Sequence, residues 1–148
     1  MKKIYMMSIA LILLILMTGS ALAVRQYALT DAARVKITIM SQDPDPVQPG
    51  ELLELRWKVE NIGGANAENV KVKLKPEYPF SLLPEDDGTR DLGSIQGRQL
   101  DEEGVIVLYK LRVDEDAIEG NMDIKLEYTH DDQPWRTTDD YSLRVQTV

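Results

Sequence analysis

The chain has 148 residues, a length that fits one domain, and it carries 17 basic and 25 acidic side chains, a formal net charge of −8. So acidic a chain without basic clusters argues against nucleic acid and anionic membrane surfaces as partners. It contains no cysteine, which excludes thiol nucleophiles, disulfides and most structural zinc sites. The folded state must therefore be stabilised by packing alone.

The first 23 residues have the pattern of a secretion signal. Two lysines precede an apolar run from Ile4 to Met17, and residues 21–23 have the small-x-small form of a signal-peptidase site. The run is shorter than the ~20 residues of a typical spanning helix. We therefore predict a signal peptide at 1–23, with Ala21 and Ala23 forming the cleavage site. The expected location is the extracellular face of the membrane or the cell surface, and an uncleaved N-terminal anchor is the alternative.

After a short linker at 24–34, apolar residues recur at every second position, the period of strands with one buried face. Without residues 1–23 this part has 15 basic and 25 acidic side chains, a formal charge of −10. Turn signals separate the alternating segments at the spacing of a sandwich. The pattern predicts an all-β fold, an Ig-like antiparallel β-sandwich of about seven strands over 35–148. The alternating segments are 35–39, 53–59, 70–74, 104–113, 122–128 and 141–145, with weaker ones at 78–83 and 92–95.

Two segments depart from simple alternation. In the 104–113 strand, Ile106 and Leu108 make the first half apolar on both sides, which predicts burial on both faces or cover from a loop. The segment DPDPVQPG at 43–50 has three prolines before Gly50. Because proline fixes φ and glycine frees it, we expect a stiff connector that turns into the second strand.

The stretch PGELLELRWKVENIGGANAENVKVKL resembles the opening of CARDB-type and archaeal S-layer-associated Ig-like domains. The shared elements are PGE at 49–51, VENIG at 59–63 and VKVKL at 70–74, and DAIEG at 116–120 resembles the Asp-Ala-x-x-Gly turn of the same family. The resemblance spans 35–148. It implies an Ig-like module of an exported cell-surface protein, with structural, adhesive or assembly roles and with cell-envelope proteins or surface glycans as partners.

Acidic pairs are the candidate metal ligands. Asp131, Asp132, Asp139 and Asp140 lie at opposite ends of one hairpin connection, and clustered carboxylates suit calcium. The alternative is that these acids occupy exposed turns and keep the protein soluble. No other cofactor is expected. His130, the only histidine, reads as a plain residue of a polar loop, since no nucleophile accompanies it.

The two tryptophans have different predicted roles. Trp57 lies on the apolar face of its strand and is expected in the core. Trp135, beside Pro134 in a polar loop, either caps the end of the sandwich or stands exposed to contact a sugar or a partner.

No catalytic residues are predicted, and the leading interpretation is a non-enzymatic exported cell-envelope module. The alternative is a carbohydrate-binding or substrate-positioning module that uses Trp135 and nearby acids. In either case we expect no nucleic acid as partner, and contact with a membrane only through an uncleaved N-terminal segment.

Overall fold

The computed structural model describes residues 32–98 and 104–147. The predicted signal peptide, with Ala21 and Ala23, lies outside these ranges, as does most of the 24–34 linker. The described residues contain no helix long and apolar enough to cross a membrane. They form ten strands: β1 (Val35–Asp43), β2 (Leu52–Asn61), β3 (Ala67–Leu74), β4 (Phe80–Leu82), β5 (Thr89–Ile95), β6 (Val105–Val113), β7 (Gly120–Ile124), β8 (Leu126–Thr129), β9 (Arg136–Thr137) and β10 (Tyr141–Val145).

The first layer of the sandwich is an antiparallel sheet with strand order β1-β2-β6-β4. The central pair, β2 and β6, runs in unbroken register from Leu52 opposite Arg112 to Val59 opposite Val105. Alternate residues of each strand are buried, as the period-two pattern predicts. The inward residues are Leu53, Leu55, Trp57 and Val59 of β2 and Val107, Tyr109, Leu111 and Val113 of β6.

The second layer combines the strand orders β5-β3-β8-β9 and β10-β7. The single strand predicted at 122–128 is divided at Lys125, because β7 pairs with β10 whereas β8 pairs with β3. Ile124 and Leu126, on either side of Lys125, are both buried. The division therefore changes the hydrogen-bonded neighbour without changing the buried face.

One hydrophobic core joins the two layers. Trp57 is fully buried, and its ring meets Tyr141 edge-on, with centroids 4.8 Å apart and planes at 87°. The prediction of Trp57 as a core residue is thus confirmed, as is the all-β antiparallel sandwich. The ten strands exceed the expected number of about seven because both weaker segments form strands, one predicted strand is divided, and β9, of two residues, has no apolar alternation.

The proline segment at 43–50 is part of the core as well as a connector. Val47 is fully buried and forms a parallel bridge with Val145 of the last strand. Its N–H donates to the Arg144 carbonyl at 3.0 Å, and its carbonyl accepts from the Gln146 N–H at 3.0 Å. Gly50 has φ +81°, so the expected turn into β2 does require glycine. The 43–50 segment is therefore hydrogen-bonded to the end of β10.

The expectation for the first half of β6 is wrong. Ile106 is 51% exposed and Leu108 is 39% exposed. Both lie on the outer face of the first layer, opposite Lys58 and Arg56 of β2. Both apolar side chains are therefore partly exposed to solvent.

Candidate functional site

The loop between β8 and β9, residues 130–135, contains most of the predicted site residues, and it is fastened to β3. The Asp131 N–H donates to the Glu68 carbonyl at 2.7 Å, and the Glu68 N–H donates to Asp131 Oδ1 at 2.9 Å. Glu68 lies where the register of β3 with β5 shifts, between Ala67 and Val70. Asp131 and Asp132 have φ of 51° and 54°, a conformation that aspartate tolerates better than most residues.

His130 has a structural part in this anchor. It is only 4% exposed, and its Nδ1 lies 2.8 Å from Asp131 Oδ2. The Glu68 backbone N–H and then His130 lower the pKa of the Asp131 carboxyl below its usual 3.8. The interpretation of His130 as a plain polar loop residue is corrected accordingly, because this side chain is buried and helps to hold Asp131.

The four candidate calcium ligands do not lie together in one group. Asp131 is held as described, and Asp132 Oδ1 accepts from Asn69 Nδ2 at 3.4 Å. Asp139 and Asp140 line two other surface depressions. Over 32–98 and 104–147, no three His, Asp or Glu side chains form a group that could hold a metal ion. Calcium binding by this set stays a prediction, and the geometry lends it no support.

Trp135 is 46% exposed. Its indole borders an open depression of about 440 Å³. Of the two interpretations of this residue, the exposed contact fits this geometry better than a buried cap. The other residues that line the depression are Asn69, Lys71, Thr129, Asp132 and Gln133.

The floor of the depression is held by hydrogen bonds within the loop. The Thr129 hydroxyl donates to the Gln133 carbonyl at 2.5 Å, and Arg136 Nη2 donates to Gln133 Oε1 at 2.7 Å. The Gln133 N–H donates to the His130 carbonyl at 3.0 Å. The residues on both sides of Pro134 and Trp135 are therefore fixed before any ligand binds, which lowers the entropy cost of binding.

The chemistry offered by the Trp135 depression is that of a small binding site. The indole supplies an apolar face, and the polar residues Asn69, Lys71 and Asp132 line the depression with it. The Lys71 ammonium also lies 3.8 Å from the Asp91 carboxylate. Sequence reasoning identified Trp135 and Asp132 but missed Asn69 and Lys71. These two lie more than 50 positions earlier in the chain, and only the pairing of β3 with β8 brings them to the loop.

No protein-family model matches the chain, and no curated protein matches it either. Among solved structures, the chain is similar to the crystal structure of Spo0M, a sporulation control protein from Bacillus subtilis, with a TM-score of 0.44 and 15% sequence identity. The similarity covers 79% of this chain and 50% of that chain, so this chain spans about half the length of Spo0M. A likeness at this level carries no argument about function.

Proposed function

We propose that the protein is a non-enzymatic, exported cell-envelope module of the S-layer-associated type, with a structural, adhesive or assembly role. The observation that carries the proposal is the half-exposed Trp135 on a loop fastened to β3. The secretion-signal pattern of residues 1–23 and the resemblance to exported Ig-like domains support the location.

The mechanism is recognition by a surface loop on a rigid scaffold. Tryptophan is enriched among residues that dominate binding energies, since it buries a large area and loses few rotamers. Two hydrogen bonds between Asp131 and Glu68, one to the Glu68 carbonyl and one to the Asp131 carboxylate, hold the loop in place. The partner is another cell-envelope protein that receives the indole in an apolar pocket.

Two measurements test this proposal. Fractionation of cells with a carbonate wash, together with the N-terminal mass of the recovered protein, shows whether the chain is exported and cleaved after Ala23. Binding of the purified domain to isolated cell envelopes is then compared for wild type, Trp135→Ala and Tyr78→Ala. Tyr78 is the matched control, because it is a 66% exposed aromatic in a different loop.

We expect at least tenfold weaker envelope binding for Trp135→Ala and none of this loss for Tyr78→Ala. A cytosolic protein would overturn the proposed location. Equal binding by wild type and Trp135→Ala would overturn the role of the loop.

A second candidate function, carbohydrate binding, is favoured by the polar residues around Trp135. A sugar ring that stacks on the indole would have its hydroxyls near the Asp132 carboxylate and the Asn69 amide. A glycan array with wild type and Asp132→Asn tests it. Loss of array signal in the variant supports the candidate, and no binding by the wild type rejects it.

A further inference from the structure

We propose that the edge of β6 from Ile106 to Lys110 is a strand-addition site, which takes an extended segment of a partner protein rich in acidic and apolar side chains. The site lies on the first layer of the sandwich, whereas Trp135 belongs to a loop next to the second layer. The inference therefore does not depend on the function proposed for Trp135.

The edge is open because β4 is short. On one side, β6 pairs with β2 along almost its whole length, from Val105 to Arg112. On the other side, β4 pairs only with the end of β6, from Leu111 to Val113. Among the strands that the structure describes, none lies beside the six residues 105–110 on this side.

The peptide groups of this stretch point toward the open side in alternation. The Arg112 carbonyl accepts from the Ser81 hydroxyl of β4, and the Asp114 N–H donates to the Pro79 carbonyl, so even-numbered residues face β4. The Val113 N–H donates to Glu51, on the β2 side. Because successive peptide groups of a strand face opposite neighbours, the N–H and C=O groups of 106, 108 and 110 face the open edge.

The guanidinium of Arg90 lies on this open side of β6. Its Nη2 lies 3.4 Å from the Leu108 carbonyl oxygen. Among the described side chains, the Arg90 guanidinium alone contacts a backbone atom of residues 106, 108 or 110 on the open side of β6. At 3.4 Å this is a long bond, which the N–H of an incoming strand could replace.

The other long edge strands of the described sheets have irregularities that hinder pairing with an added strand. β1 carries a bulge between Ile39 and Ser41, and its Ile37 carbonyl already accepts from the Tyr141 hydroxyl. The pairing of β5 shifts register twice. Bulges of this kind prevent edge-to-edge pairing. β6 has no shift in its register with β2, so it presents a regular template.

A depression beside the edge provides room for the added strand. After β4 the chain turns away, with the Asp86 N–H bonded to the Leu83 carbonyl at 2.9 Å. The depression left there has a volume of about 620 Å³, and it is lined by Leu83, Pro84, Glu85, Asp86, Asp87 and Arg90. Inward side chains of a partner strand would contact this partly apolar wall.

The charges near the edge indicate what kind of strand fits. Lys110 and Arg112 are exposed and follow Ile106 and Leu108 along the same outer face. No carboxylate of the described residues lies within 4.0 Å of either cation. A partner with carboxylates opposite these cations and apolar residues opposite Ile106 and Leu108 complements them.

The acidic loop beside the depression, residues 85–87, restricts this preference to the outer face, where Lys110 and Arg112 lie. Arg90 holds Asp86 in a two-pronged ion pair with bonds of 2.8 and 2.6 Å. Asp87 accepts from the Thr89 N–H. A second copy paired through the same strand would add Lys110 and Arg112 again and no carboxylate, since residues 105–113 contain none. An acidic segment of a different protein is therefore favoured over self-pairing.

The experiment uses the domain at 24–148 and a fluorescent eight-residue peptide in which two glutamates lie among valines and threonines. Binding is measured by fluorescence anisotropy, and amide hydrogen exchange is followed with and without peptide. We expect saturable binding and new protection of the amides of Ile106, Leu108 and Lys110. Two further peptides are N-methylated at odd or at even positions, and one of these should lose binding because only one set of amides faces β6.

Matched variants separate the backbone from the side chains. Leu108→Thr keeps the N–H and should reduce affinity by no more than about fivefold. Leu108→Pro removes the N–H that faces the open edge, a position where an edge strand tolerates proline, and should abolish binding. Lys110→Glu should weaken binding of the acidic peptide about fivefold and strengthen that of a lysine-substituted peptide.

Three results would overturn the proposal. The first is no binding at millimolar peptide, and the second is binding that both N-methylated peptides retain. The third is protection of the three amides in the free monomer, or their protection only as the protein dimerises at higher concentration. The peptide series keeps the test valid even if Leu108→Pro fails to fold.

Discussion

The Tyr109 hydroxyl donates a 2.8 Å hydrogen bond to the Gly88 carbonyl oxygen, and both residues are buried. This bond ties β6 of the first layer to the turn that precedes β5 of the second layer. The same carbonyl accepts from the Leu74 N–H at 2.9 Å, and Arg90 lies 4.5 Å above the Tyr109 ring. One strand from each layer, β6 and β3, and the turn before β5 therefore meet at one carbonyl group.

Tyr109→Phe should lower the free energy of unfolding by about 1 kcal/mol, since it removes one buried hydrogen bond and leaves Gly88 with the Leu74 N–H as partner. Urea unfolding followed by tryptophan fluorescence measures this. Tyr78→Phe is the control, because the Tyr78 hydroxyl bond to the Asp116 carbonyl is exposed. Equal losses in the two variants would contradict the role given to the buried bond.

Alkaline pH should lower the stability of the fold through the Tyr109 side chain. Burial raises the pKa of Tyr109 well above its usual 10. The unfolded chain then releases this proton at lower pH than the folded chain does, so the stability is present below pH 10 and is lost as pH rises above it. Melting temperatures between pH 9 and 11 should fall more steeply for wild type than for Tyr109→Phe. Parallel curves would argue against this assignment.

Gly88→Ala should destabilise the fold by several kcal/mol and prevent folding at moderate temperature. Gly88 has φ +77°, and an added Cβ would lie 2.2 Å from the Leu74 carbonyl oxygen. Gly93→Ala is a matched control, with φ +66° but nothing within 4 Å of the added atom. It should cost only about 1 kcal/mol. Circular dichroism melts of both variants decide whether the close contact, beyond the positive φ, is responsible.

Asp131→Asn should make the fold less sensitive to acid. The lowered pKa of Asp131 means that its contribution is present above the usual 3.8 and is lost as pH falls below that value. Asparagine tolerates the positive φ of this position, so the change isolates the charge. Melting temperatures from pH 5 down to 2 should fall less for the variant than for wild type. Asp132→Asn serves as control and should follow the wild-type curve, since among the described residues its carboxylate has only the long bond to Asn69.

Val47→Ala should lower the free energy of unfolding by about 2 kcal/mol, as expected when a fully buried aliphatic side chain is truncated. Pro49→Ala should lower it by less than about 1 kcal/mol, because it only relaxes the unfolded chain. Denaturant unfolding of both variants compares packing with chain stiffness. A larger loss for Pro49→Ala would mean that the 43–50 segment acts mainly as a stiff connector.

The residues of the candidate site were only partly accessible from the sequence. The loop context of Trp135 and the acids at 131–132 can be recognised locally, since polar residues and proline mark a loop. The burial of His130 cannot, because it depends on Glu68, whose contact with Asp131 bridges 63 positions of sequence. The burial predicted for Ile106 and Leu108 was wrong for a related reason. An apolar side chain favours burial, but the sequence does not show whether a neighbouring element covers it.

The sequence by itself determined the class of the fold and the inward face of its main strands. Alternation has a period of two residues, so Leu53 to Val59 and Leu111 to Val113 reveal their buried sides without any knowledge of their neighbours. The tertiary structure alone decided which edges meet. Three features depend on which distant segments form hydrogen bonds with each other: the change of partner at Lys125, the bridge of Val47 with Val145 and the open side of β6. The sequence does not reveal these pairings, because every residue has nearly the same backbone hydrogen-bonding groups.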